Sequence, residues 1–153
     1  MKTADKGLTL FEMVTIIVVM GLVIPVLLNM WADVARKSGR SESMAEATFY
    51  AQELMEEIKS KDFADPTQTP VFGPESGESG RSDYDDVDDF NGYSDPPASS
   101  YTRSCVVDYV ELSGSTWGAA TSPPTDFKRI TVTVSRADNL SGNVSLVTIV
   151  AAF

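Results

Sequence analysis

LTLFEMVTIIVVMGLVIPVLLNM, residues 8–30, is a run of 23 positions that carries a single charge, Glu12. At a helical rise of ~1.5 Å per residue the run reaches about 35 Å, enough to cross a hydrocarbon layer of ~30 Å. In lipid, a helix satisfies all of its own backbone polar groups. A transmembrane helix over residues 8–31 is therefore expected. Gly21 and Pro25 fall inside it. Pro25 lacks an amide donor and crowds the carbonyl four residues earlier, so a kink is expected between Gly21 and Pro25. Glu12 is the anomaly. An ionised carboxylate in hydrocarbon costs roughly 2.5 kcal/mol or more, so Glu12 either has a partner or snorkels to the headgroups.

The flanks narrow the reading. Lys2 and Lys6 precede the run, as in a secretory signal, but the apolar core is too long for one. No Ala-x-Ala site occurs in the following Asn29-Met30-Trp31-Ala32-Asp33-Val34-Ala35. Arg36, Lys37 and Arg40 follow the span as closely as the two lysines precede it, so charge counting leaves the orientation open.

Across 153 residues the chain has room for one domain plus an accessory segment, and 42 % hydrophobic content argues against global disorder. Twelve basic against 22 acidic residues give a net charge of −10, which argues against nucleic acid as a partner. The absence of histidine removes Ser-His-Asp and Cys-His catalysis together with imidazole metal ligands. A single cysteine excludes an internal disulfide and a cysteine zinc cage.

Beyond Trp31 the helix is expected to continue as an amphipathic segment over residues 32–62. No proline interrupts residues 33–61, and Met44, Ala47, Ala51, Leu54 and Ile58 recur at spacings of 3, 4, 3 and 4. Glu42, Glu46, Glu53, Glu56 and Glu57 lie on the other faces, with Lys59 and Lys61 at the end where cations complement the helix dipole. The apolar stripe is expected to pack on a sheet.

Residues 63–153 read as a β head. Proline and glycine make 63–100 mostly loop, and strands are expected over 104–112, 127–135 and 144–153, with a hairpin turn at 136–143. The resulting class is α+β, a long N-terminal helix against an antiparallel sheet. Within the head, the loop 82–95 concentrates Asp83, Asp85, Asp86, Asp88 and Asp89. Carboxylates are hard oxygen ligands, so calcium is the cation such a loop would take, but Phe90 stands where an EF-hand needs a ligand and no glutamate closes the loop. A solvated acidic turn with Asx-type hydrogen bonds accounts for the composition as well. Cys105 reads as a small buried hydrophobe, and Trp117 either as a packed ring or as an exposed anchor. With no nucleophile–base pair and no Gly-x-Ser-x-Gly elbow, an anchored periplasmic enzyme is the weakest reading.

Lys6-Gly7-Leu8-Thr9-Leu10-Phe11-Glu12, placed directly before a spanning run, resembles the class III leader of type IV prepilins and pseudopilins. The resemblance implies a leader of residues 1–7, cleavage between Gly7 and Leu8 by a prepilin peptidase, and N-methylation of Leu8, where the family usually has Phe or Met. It also makes Glu12 the glutamate that acts in filament assembly. The stretches 51–58, 85–95 and 130–134 are similar to the minor pilins D of mannose-sensitive haemagglutinin pilus operons. The fold this implies is the one read above. The partners implied are other pilin subunits, the peptidase, an inner-membrane assembly platform and the membrane itself before assembly. The function implied is structural, with no enzymatic activity and a final location in an extracellular or periplasmic filament. A head that displays an adhesin or a metal-dependent binding surface is the alternative.

Overall fold

The computed structural model describes residues 9–65, 72–138 and 142–152. Its elements are one helix, α1 (Leu10–Lys59), and five strands: β1 (Ser94–Asp95), β2 (Tyr101–Ser113), β3 (Thr116–Ala119), β4 (Phe127–Arg136) and β5 (Val144–Ala151). A 3-10 turn, Asp88–Phe90, precedes β1. The chain divides into two compact units, residues 1–40 and 41–153.

In the first unit, α1 is unbroken through Gly21 and Pro25. It presents Leu10, Phe11, Ile17, Leu22, Val26, Leu28 and Trp31 among many exposed apolar side chains. This part of the helix is long and apolar enough to cross a membrane, with none of its most apolar window buried.

In the second unit, the last five turns of α1 pack on an antiparallel sheet of order β1-β2-β4-β5, with β3 paired to the far end of β2. The arrangement is α+β, as the alternating strands and the long helix require. Ser43, Ala47, Ala51, Leu54, Met55 and Ile58 are buried on the helix side. The expected stripe holds at four of its five positions. Met44 is 44 % exposed, and the small Ser43 takes the inward place instead, where its hydroxyl meets Arg136.

The sheet side contributes Tyr101, Cys105, Val107, Ile130, Val132 and Val134, joined by Val87 and Phe90 from the loop before β1. β4 pairs with β2 from Phe127's neighbour Lys128 through Arg136, and with β5 over its outer edge. Its inward positions are 128, 130, 132 and 134, each buried. β2 keeps inward positions at 101, 103, 105 and 107 and then changes phase to Val110, where its partner changes from β4 to β3. β4 and β5 form the expected hairpin. Residues 139–141 of the connection lie outside the described residues.

Candidate functional site

Two places carry candidate function: the start of α1 and the acidic loop. At the first, Thr9 Oγ1 accepts a hydrogen bond from the Glu12 amide at 3.3 Å. Thr9-Leu10-Phe11-Glu12 thus has the spacing of a capping box, with a hydroxyl at the N-cap and a glutamate three residues on. Glu12 sits in the first turn of the helix and is exposed. It is the only charge among the residues from 10 to 32. Gly7 and Leu8, the expected processing positions, lie outside the described residues.

The acidic loop is not a solvated turn. Asp86, Asp88 and Asp89 are 1 %, 1 % and 0 % exposed, while Asp83 and Asp85 face solvent. Nor does the structure gather the five aspartates around one point: Asp83, Asp86 and Asp89 accept from different backbone amides, and Asp88 pairs with Lys128. Asp83 Oδ2 accepts from the Ser79 amide and hydroxyl, both at 3.1 Å, which holds its carboxyl below the usual range. Asp86 Oδ1 accepts from the amides of Asp88 and Asp89, and its Oδ2 from the amide of Asp65. Burial nonetheless pushes the Asp86 carboxyl up, against those hydrogen bonds. Asp88 Oδ2 lies 2.8 Å from Lys128 Nζ, and both side chains are buried. Asp89 Oδ2 accepts from the amides of Asp85 and Asp86 at 3.0 and 3.1 Å.

Of the five, only Asp89 belongs to a carboxylate cluster with ligand spacing among the described residues. Its companions are Glu75 and Glu78, with one oxygen from each of the three within 4.8 Å of the others. Neither glutamate was a candidate by sequence. The available signal was the Glu-x-x-Glu spacing across Gly77, whose φ of 117° bends the loop back on itself.

A second charged group ties the loop region to the helix. Arg103 is 2 % exposed at its side chain and grips Asp95 with two hydrogen bonds, 2.9 and 2.7 Å, while donating to the Tyr50 carbonyl at 3.0 Å. Arg81 pairs with Glu57 and approaches Asp95 at 3.5 Å. Burial alone would raise the Asp95 carboxyl, but the hydrogen bonds and charge of Arg103, with Tyr93 and Arg81 adding, bring it below its ordinary value. A lowered carboxylate contributes stability above the ordinary aspartate pKa of about 3.9 and loses it as the pH falls through the folded-state value. Asp95→Asn is therefore expected to cost about 1.5–3 kcal/mol at pH 7, read from denaturant unfolding, with the gap to wild type closing as the pH falls below the ordinary aspartate value. A gap that stayed constant over that range would mean that Asp95 acts by packing alone.

The remaining candidates resolve simply. Cys105 is buried in β2, and burial pushes its thiol up to about 12, so it is an inert core residue. Trp117 packs edge-on against Phe127 with ring centres 4.9 Å apart and keeps 37 % exposure. Comparison with family models, with curated proteins and with solved structures gave no match to this chain.

Proposed function

We propose that the chain is a structural subunit, a minor pilin or pseudopilin, of a type IV pilus-like filament, most similar in kind to the minor pilins D of mannose-sensitive haemagglutinin pili. The observation that carries the reading is the exposed apolar helix with its lone acid in the first turn, five residues after Gly7. A face this apolar needs either lipid or other helices around it. A filament subunit uses both in turn, stored in the inner membrane and then drawn by an assembly platform into a helix bundle.

The chemistry assigned to this chain is one of assembly. Cleavage by a prepilin peptidase between Gly7 and Leu8 would leave a methylated, positively charged amine at Leu8, one turn from Glu12. In a bundle, Glu12 of one subunit would meet the Leu8 amine of a neighbour. A buried charge left alone is expensive and a paired one much less so, so the pairing selects one axial register. The head, held together by its own core, then faces outward on the filament.

The test is the mass of the protein purified from membranes of a cell that expresses the peptidase. Loss of residues 1–7 together with the gain of one methyl group is the expected result. A protein that keeps Met1 under those conditions overturns the proposal.

A further inference from the structure

We infer that Glu75, Glu78 and Asp89 form a binding site for one calcium ion in the head. The site differs from the five-aspartate set suggested by composition, and it does not rest on the filament reading.

Geometry is the first support. The three residues each offer a carboxylate oxygen within 4.8 Å of the other two. That span suits a cation with oxygen ligands at 2.3–2.6 Å, and carboxylates can bind it through one oxygen or two, with water completing six to eight positions. The residues come from one loop that the fold holds closed from both ends. Gly73 donates its amide to the Asp88 carbonyl at 2.9 Å, and Glu75 donates its amide to Glu78 Oε2 at 2.9 Å.

The second support is independent of clustering. Asp89 is fully buried, with its Oδ2 satisfied by two amides, yet its Oδ1 has no hydrogen-bond donor among the described residues. Glu75 Oε2 is buried and without a donor in the same way. Two buried acceptors on residues of one carboxylate cluster leave a large desolvation cost unless something positive joins them. Among the described residues, Lys128 is paired with Asp88, Arg81 with Glu57, and Lys61 donates to the Tyr84 carbonyl.

The candidates for that positive species are a proton and a metal ion. A single proton neutralises one carboxyl of three and leaves the other two repelling. One divalent ion offsets two charges and touches all three oxygens, which makes it the better complement. With oxygen ligands only and no histidine in the chain, a hard cation is the class selected.

The experiment uses the full-length chain in detergent micelles, stripped with EDTA and titrated with calcium chloride by calorimetry, alongside thermal melts followed by near-ultraviolet circular dichroism. One calcium per chain is expected, with a rise of roughly 5–10 °C in the head's melting temperature at saturating calcium. Glu75→Gln is the discriminating variant, since its amide can donate to Asp89 Oδ1 and so satisfy the buried pair without a cation. It is expected to fold in EDTA at least as stably as wild type and to bind calcium at least tenfold more weakly. Glu78→Gln should weaken binding likewise. The inference is overturned if 5 mM calcium produces neither heat nor a shift, if sodium chloride at matched ionic strength reproduces the shift, or if Glu75→Gln binds calcium as wild type does.

Discussion

Lys128→Ala is expected to leave the head largely unfolded at physiological temperature. Lys128 is 0 % exposed, its Nζ lies 2.8 Å from Asp88 Oδ2, and it donates to the Phe63 carbonyl. It also lies over the rings of Phe63 and Tyr109, 4.2 and 5.3 Å from their centres. Removing one partner of a buried pair costs about 3–5 kcal/mol because the other charge stays behind without compensation. Here the cost is aggravated, because Asp88 is already pushed up by burial and by the charges of Asp86 and Asp89, with Lys128 as the opposing influence. A loss of that size is a large share of the ~5–15 kcal/mol by which a domain is stable. Lys128→Met combined with Asp88→Asn should regain most of it, since both charges go and the aliphatic stem of Lys128 is replaced in kind. Near-ultraviolet circular dichroism of the two proteins on heating checks the pair. A Lys128→Ala melting temperature within about 2 °C of wild type would show that the buried pair holds nothing together.

The second large effect concerns Glu12. On the filament reading, Glu12→Ala and Glu12→Gln should both be processed normally and both fail to enter filaments, because neither can pair with a neighbour's amine. The structure supplies a competing role, since Glu12 stands three residues after the Thr9 cap. Glutamine serves that position in a capping box as well as glutamate does. If Glu12 only supports the helix start, Glu12→Gln should assemble like wild type while Glu12→Ala suffers. The amount of each variant in sheared surface filaments, set against its amount in membranes, separates the two roles. Wild-type incorporation of Glu12→Gln would remove charge pairing from the account.

The α+β class, the long helix and the three main strands were legible because each rests on a local pattern. The 23-residue apolar run, the stripe through Ala47, Ala51, Leu54 and Ile58, and the alternation of Ile130, Val132 and Val134 each need only a residue and its near neighbours. The short strands β1 and β3 were not legible. Ser94–Asp95 and Thr116–Ala119 have no apolar alternation of their own, and their pairing is imposed by β2. Met44 was misplaced for a related reason. Helical spacing gives a face to within about one position, and the choice of Ser43 was made by Arg136 and Tyr101 across the interface.

The acidic loop divides along the same line. Composition announced that carboxylates are concentrated at 83–89 and that a hard cation is the ligand class they suit. Which of them are buried, and which oxygens remain free, depended on residues far away in the chain. Lys128 claims Asp88 from 40 positions downstream, and Glu75 and Glu78 reach Asp89 from across the glycine-rich turn. Lys128 and Arg103 themselves occupy inward strand positions that alternation assigns to apolar residues, and only the acids waiting on the other side make that tolerable.

The sequence by itself determined an apolar N-terminal helix able to span a membrane, with one acid in its first turn, and a β head behind it. These follow from short-range periodicity and from the cost of exposing or charging a long apolar run. Only the tertiary structure decided which charges are buried, how they are paired, and which carboxylates converge. Electrostatic partners are chosen by distance in space under low dielectric, and no spacing along the chain encodes that distance.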